Sequence, residues 1–492
     1  MEQQEPGTPG RSNRPASSSL NDTITDDNQP TLWNQHRSWW QSANPLAAEI
    51  GEQAVVVRDS LYERITLSPL ALALMNTPPF LRLQNIKQLG FVYRIWPGAT
   101  HTRYEHSLGV YHLAQMALHE LMRGSRLQHP LTLEDVRTFL AAALLHDIGH
   151  YPFSHAIEEL GYPVEPHERV GRRIILHSEV AAVLEQFHVS PERVAALIDP
   201  PGDEATVPHN HGPAPIDRLL IQLLSGTLDV DKLDYLPRDA RACNVPYGGV
   251  DVTRLLAALR VRSVAEQHRI VLTDKGISPL NSLLHARQEM FDNIYWHHTN
   301  RAQMAMLLRA TQDAMLAGAL RPDELAHHDD ASLLALLQGP AMPLSTRALV
   351  DGLRQRQIHK TALEVSARAG RIYQQLDALF WDQAKRRRVE LALAAHFATC
   401  LREPVADYEV LIDIPKPEKW EMHAWIWFSD PPLGMEPLLS WVDATGLLPS
   451  DLVKYEQHQR RIRIVTSQRL REVARSRRSE LILPVLDHLT VL

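Results

Sequence analysis

Cysteine is nearly absent: only Cys243 and Cys400 occur in 492 residues. That excludes a disulfide framework and points to a reducing, cytoplasmic setting. No apolar run approaches the ~18 residues of a membrane-spanning helix, and the first residues lack the basic-then-apolar pattern of a signal peptide. No membrane partner is expected. A basic excess is missing too, with 51 Lys and Arg against 58 Asp and Glu and a formal net charge of -7. Such a balance argues against a surface that coats nucleic acid, though it leaves room for a local basic pocket.

What is present fits a folded enzyme. Hydrophobic residues make up 44% and charged residues 22% of the chain, ordinary for a folded protein, and 492 residues are enough for two or three domains or one large catalytic domain with appendages. Residues 1–32 are Ser, Pro, Asn, Gln and Asp with hardly an apolar side chain, and are expected to form a disordered tail. Helical periodicity dominates 33–400, after a short strand pair around Ala54–Asp59 and Arg64–Leu67. Pro and Gly between 199 and 215 mark a surface loop. Thr132 with Asp135 reads as a capping box. It opens a helix whose apolar stripe is Val136, Phe139, Leu140, Ala143 and Leu144, and which carries His146 and Asp147 at its end. Beyond 400, the segments 408–414 and 461–465 alternate like strands, so 401–492 is read as a smaller α+β module on a mainly α body.

The histidines, 25 in all, matter by position. His106 follows Thr102-Arg103-Tyr104-Glu105, His146 adjoins Asp147, and Asp231 sits in Leu228-Asp229-Val230-Asp231-Lys232-Leu233-Asp234-Tyr235. Two imidazoles and two carboxylates form a mixed N/O set suited to Mn, Fe, Mg, Ni or Zn, with coordination positions left over for a ligand. A His-Asp dipeptide is common by chance. This pair, however, ends an apolar helix, where inward-facing polar groups are costly without partners. It also opens Asp147-Ile148-Gly149-His150-Tyr151-Pro152-Phe153-Ser154-His155, with two further histidines.

These motifs, together with Arg82-Leu83, Ile86-Lys87-Gln88-Leu89-Gly90 and Pro97-Gly98-Ala99, occur in the order found in one family. From about Asp59 to Tyr295 the chain resembles the HD-domain deoxynucleoside triphosphate triphosphohydrolases. The resemblance implies a helical HD core and a divalent metal on His106, His146, Asp147 and Asp231. It implies catalytic roles for His150, His155, His167 and Glu168, with Glu168 fixing a histidine tautomer and Glu158 a secondary carboxylate. Arg103, Lys232, Tyr235 and Arg287 match phosphate-binding positions. Gln88 and Asp239 match residues that hydrogen-bond the 3′-hydroxyl, and Leu89 and Tyr295 match those that crowd the 2′ position. The substrate implied is a deoxynucleoside triphosphate and the partner a further copy of the chain.

Three departures stand out. Asn76, Leu81 and Gln84 occupy the positions where the animal enzyme of the family reads an activating guanine nucleotide. Asp59-Ser60-Leu61-Tyr62-Glu63 replaces the usual entry motif, and Phe291 stands where the animal enzyme has a histidine near the substrate. The short polar N-terminal segment is not expected to form a SAM domain. Two other readings compete with the leading one: an HD phosphohydrolase acting on another nucleotide or on single-stranded nucleic-acid ends, and a nucleotide-binding regulator with vestigial activity. Gln88, Leu89, Asp239 and Tyr295 together favour the deoxynucleotide.

Overall fold

The computed structural model describes residues 44–51, 53–124, 130–200, 213–264, 267–417, 423–447 and 449–487. The tail expected over 1–32 and most of the 199–215 loop lie outside the described residues. Val55–Asp59 (β1) and Glu63–Leu67 (β2) form the expected hairpin, antiparallel with Val57 opposite Ile65. Asp59 accepts the backbone N–H groups of Leu61 and Tyr62, which folds the turn, and its other oxygen accepts from Arg238 at 2.9 Å.

Beyond the hairpin the chain is mostly helical. Helix α1 (Arg103–Gly124) opens where Glu105 accepts the backbone N–H of Thr102 at 2.7 Å. Helix α2 (Leu133–Leu145) starts with the full capping box of Thr132 and Asp135. Its apolar face is wider than the expected stripe, since Ala141, Ala142 and Leu145 are buried as well. It runs through the core with neighbours on every side. It also ends at Leu145, so His146 is its C-cap and Asp147 lies just past it. Gly149 permits that turn: a Cβ there would lie 2.1 Å from the carbonyl oxygen of His167 and 2.3 Å from the nitrogen of Gly171. The next helix, α3 (His167–His177), therefore packs directly on the turn.

Helix α4 (Val230–Cys243) is capped by Asp229, whose side chain accepts the N–H of Lys232 at 2.7 Å. Gly109 on α1 faces it, and a Cβ there would come within 1.9 Å of Asp234 Oδ1. Helix α5 (Ile277–Met290) runs into a π turn, Phe291–Tyr295, which redirects the chain before α6 (His298–Leu316). Helix α7 (Asp330–Leu337) packs on α6, and α8 (Gln383–Leu401) packs on the strand 410–413.

Two small sheets complete the fold. Leu259–Val264 (β3), Gln267–Thr273 (β4), Trp425–Trp427 (β7) and Leu438–Ser440 (β8) are joined in the order β3-β4-β7-β8, with β4 and β7 parallel. Lys360–Val365 (β5), Ile462–Thr466 (β9) and Val410–Asp413 (β6) form an antiparallel sheet with β9 in the middle. The alternation expected in 408–414 and 461–465 is absent as burial, because every residue of β6 and β9 is buried. Helix α8 contacts β6, and Leu363, Ile412 and Ile464 join one apolar core with Val389, Leu393 and Phe397 of α8. Strands after residue 400 thus complete sheets begun before it, so the boundary read at 400 falls inside the sheets. Ala43–Leu492 is one compact unit.

Candidate metal centre and active-site cavity

Four elements converge on one point: the first turn of α1, the turn after α2, the first turn of α4 and the start of α3. His106 Nε2 lies 2.9 Å from Asp231 Oδ1, 3.3 Å from His146 Nε2 and 3.7 Å from Asp147 Oδ2. His146 Nε2 is 3.3 Å from Asp147 Oδ1 and 3.7 Å from Asp231 Oδ1. Ligands bonded at ~2.1 Å to one ion stand roughly 3.0–3.5 Å apart, so these donors have the spacing of a shared cation. The remaining ring nitrogens are fixed from behind. His106 Nδ1 lies 2.8 Å from Asp234 Oδ2, and His146 Nδ1 lies 2.9 Å from the carbonyl oxygen of Ala143. Both arrangements put the proton on Nδ1 and turn Nε2 toward the centre. The residues fit a divalent metal, and the mixed N/O set leaves its identity open.

The electrostatics agree. Burial disfavours charge on His106, yet hydrogen bonds to Asp231 and Asp234 hold its pKa up at about 10. A bound cation must displace the proton on Nε2, which makes metal affinity fall in acid. Burial likewise opposes ionisation of Asp147, but Arg103, His146 and His150 outweigh it and keep the carboxyl well below its usual range. Arg103 Nη1 donates to Asp147 Oδ2 at 2.6 Å and its Nε donates to Ser154 Oγ at 3.0 Å. Asp234 is held down at about 2: burial works against its charge, while Arg238 and His106 favour it. Arg238 in turn pairs with Asp59 of the hairpin.

A second group of histidines stands beside the first. The rings of His150 and His167 stack at 3.8 Å, and His155 meets His150 edge-on at 4.7 Å. Glu158 binds both outer histidines, reaching His155 Nδ1 at 2.9 Å and His167 Nδ1 at 2.7 Å, and it also accepts the backbone N–H of His167. Glu158 is thus the carboxylate hydrogen-bonded to His167 Nδ1, while Glu168, of which a tautomer-fixing role is expected, lies 3.4 Å from the same atom on the exposed side. Burial lowers the basicity of His167, but Glu158, Glu168 and Asp147 raise its pKa to about 9. His150 goes the other way, pushed well below its ordinary range by burial, Arg103 and His167.

One cavity of about 1140 Å³ takes in both groups. Its wall includes Gln88, Leu89, Arg103, Lys232, Tyr235, Asp239, Arg287 and Tyr295, and the catalytic candidates His150, His155, His167 and Glu168. Among the metal-ligand candidates, His146, Asp147 and Asp231 reach it, while His106 is fully buried behind them. Lys232 pairs with its own helix cap Asp229 and donates to the carbonyl of Gly226 at 3.1 Å. Tyr295 donates to Asp239 Oδ2 at 2.7 Å. The cavity also extends to Arg269, Lys416, His423 and Trp425, none of which has a motif that sequence reading could catch. Asp234, Ser154 and His101 were likewise not singled out. Asp234 had a visible signal, three positions after Asp231 on one helix face.

By comparison with known families, residues 103–211 match the HD domain and residues 250–433 the HD associated region. The uncharacterized protein MJ1154 of Methanocaldococcus jannaschii is 31% identical over 311 residues, covering 63% of this chain and 60% of its own length. The deoxynucleoside triphosphate triphosphohydrolase SAMHD1 of Homo sapiens is 31% identical over 264 residues, covering 49% of this chain and 42% of its own. The chain thus spans roughly half the length of these curated relatives. A hypothetical protein from Aquifex aeolicus, of known crystal structure, superposes with a TM-score of 0.64 at 25% identity over 86% of this chain and 99% of that one.

Proposed function

We propose that this chain, which carries an HD domain and an HD associated region, is a metal-dependent phosphohydrolase that converts deoxynucleoside triphosphates to deoxynucleoside and inorganic triphosphate. The observation that carries the reading is one cavity whose wall brings three of the four metal-ligand candidates and the histidine group together with all eight candidate substrate residues. In the reaction water bonds to the α-phosphorus, the bond from that phosphorus to the 5′-oxygen breaks, the water gives up a proton and the 5′-oxygen takes one. His106, His146, Asp147 and Asp231 would hold a divalent ion, which when bound would supply Lewis-acid charge for phosphate hydrolysis. His155, anchored through Nδ1 on Glu158, keeps Nε2 for the proton of the leaving oxygen. His150 and His167 order the attacking water beside Asp147. Arg103, Lys232 and Arg287 balance the triphosphate, and Arg103 is pre-aligned by its bonds to Asp147 and Ser154.

At the sugar, Gln88 and Asp239 take the 3′-hydroxyl, while Leu89 and Tyr295 wall off the 2′ position. A ribose hydroxyl meets bulk there and loses its hydrogen bonds to water. Each dNTP, supplied with manganese, should be turned over to deoxynucleoside and intact triphosphate, resolved by ion-exchange chromatography. Ribonucleotides should react roughly ten- to a hundredfold more slowly. Stepwise release of single phosphates, or equal rates on dATP and ATP, would remove the proposal.

A further inference from the structure

His101 precedes α1 and does not line the cavity, yet it touches both residues assigned to the 3′-hydroxyl. Its carbonyl accepts the backbone N–H of Gln88 at 3.0 Å. Its ring Nε2 stands 2.7 Å from Asp239 Oδ1, with both side chains buried. The backbone on either side is tied down as well: Lys87 and Thr102 form an antiparallel bridge, and Arg103 N donates to the carbonyl of Ile86 at 2.9 Å. His101 Nδ1 is buried and has no hydrogen-bond partner among the described residues. A carboxylate oxygen can only accept, so the ring proton belongs on Nε2, where it donates to Asp239. The second oxygen of Asp239 accepts from Tyr295. Asp239 is thereby fixed in plane by two donors, and each oxygen keeps acceptor capacity toward the cavity. Gln88 Oε1 is buried with no hydrogen-bond partner among the described residues, a second acceptor in the same wall.

We infer that His101 is the positioning residue for 3′-hydroxyl recognition, holding Asp239 through its ring and Gln88 through its carbonyl. The inference rests on the deoxynucleotide reading above and deepens it. Without the ring donor, Asp239 is free to rotate about Cα–Cβ and Cβ–Cγ, and the acceptor pair loses its shared geometry. The bond that breaks is at the 5′ end, so a 2′,3′-dideoxynucleotide remains chemically competent and lacks only the group this pair binds.

The test compares kcat/KM for a dNTP and the matching ddNTP in wild type, His101→Asn and His101→Gln, with metal content measured on each. Asn keeps a polar group but is too short to reach Asp239, whereas the amide nitrogen of Gln can stand in for Nε2. Wild type should prefer the dNTP by roughly tenfold or more, the scale of one hydrogen bond to a charged acceptor. In His101→Asn that ratio should fall toward one at unchanged metal content, and His101→Gln should restore much of it. If His101→Asn slows both substrates equally and keeps the ratio, the residue is merely structural and the inference fails while the substrate reading stands. If wild type turns over dNTPs without preferring the 3′-hydroxyl, the assignment of Gln88 and Asp239 falls, and the role of His101 with it. If wild type turns over neither, both readings are overturned.

Discussion

His106 is committed on both ring nitrogens: Nδ1 to Asp234 and Nε2 to the centre shared with Asp231 and His146. Replacing a ligand and replacing its support should therefore have different consequences. His146→Ala or Asp147→Ala should abolish bound metal, measured by elemental analysis, and activity with it, while the circular dichroism stays that of a helical protein. Asp234→Asn should lower metal affinity by about ten- to a hundredfold, because it loosens the ring without deleting a ligand. Wild-type metal content in Asp147→Ala would refute the assigned centre. The second histidine group gives a pH signature. His167 carries its proton up to about 9 because Glu158, Glu168 and Asp147 outweigh its burial. If that cation faces the substrate, kcat/KM should fall as pH rises through this value. Glu158→Gln removes the largest charge holding the proton, so the alkaline limb should move to lower pH; an unmoved limb would separate His167 from the reaction.

At the scale of elements, the site depends on a turn in an unusual backbone conformation. Phe153 and Ser154 both have positive φ, 58° and 57°, which costs non-glycine residues of order 1–3 kcal/mol each. The buried carboxylate of Asp330, in the first turn of α7, holds that turn through the N–H of Phe153 at 2.7 Å and holds the Gln88 segment through the N–H of Lys87 at 3.0 Å. Ser154 then joins the two, donating to the carbonyl of Lys87 and accepting from Arg103. Arg82 adds bonds to the carbonyls of Ile148 and His150. Asp330→Asn keeps shape but can accept only one of the two backbone donors. It should cost about 1–3 kcal/mol of stability in denaturant unfolding and lower kcat more than metal content, since His155 follows the turn. Unchanged stability and rate would show that the clamp is dispensable.

At the scale of the molecule, two buried arginines of α6 tie the helical body to the last sheet. Arg301 bridges Glu159 and Asp413 of β6, and Arg309 bridges Asp313, Glu390 of α8 and Asp407. Removing Arg301 takes the hydrogen-bonded cation from two buried carboxylates and leaves Asp413 with Arg463 at 3.7 Å, a loss on the order of 3–5 kcal/mol. Arg301→Met should accordingly lower the thermal midpoint markedly in calorimetry, and a change within error would mean the network is not structural. Regulation belongs to the same scale. Asn76 and Gln84 are exposed, Asn76 donates to the carbonyl of Leu72, and the Leu81 side chain has no hydrogen-bonding group. Guanine needs acceptors for its N1–H and N2–H groups and a donor for O6. GTP should therefore be dispensable for dNTP turnover, and light scattering should show no GTP-driven tetramer; strict dependence on GTP would show that other residues read it.

The candidate metal ligands, the histidine groups and the hairpin were legible in the sequence because each is a local pattern. A His-Asp pair at a helix end and a capping box before α2 are set by chemistry within one turn. The same locality explains what sequence by itself leaves open. Glu158 and Glu168 are both acidic and both near His167 in sequence, and only the turn of 155–158 against the start of α3 decides which carboxylate reaches Nδ1. The boundary at 400 followed a real change of pattern, but β7 pairs with β4 and β9 with β5, both upstream in the chain. Asp330 and His101 lie about 180 and 140 residues from the groups they hold, and a contact across that distance leaves no periodicity behind. Residue type and spacing by themselves determined which side chains can bind a cation or pass a proton. Only the tertiary structure decided which nitrogen and oxygen face each other, because that depends on how separate elements pack.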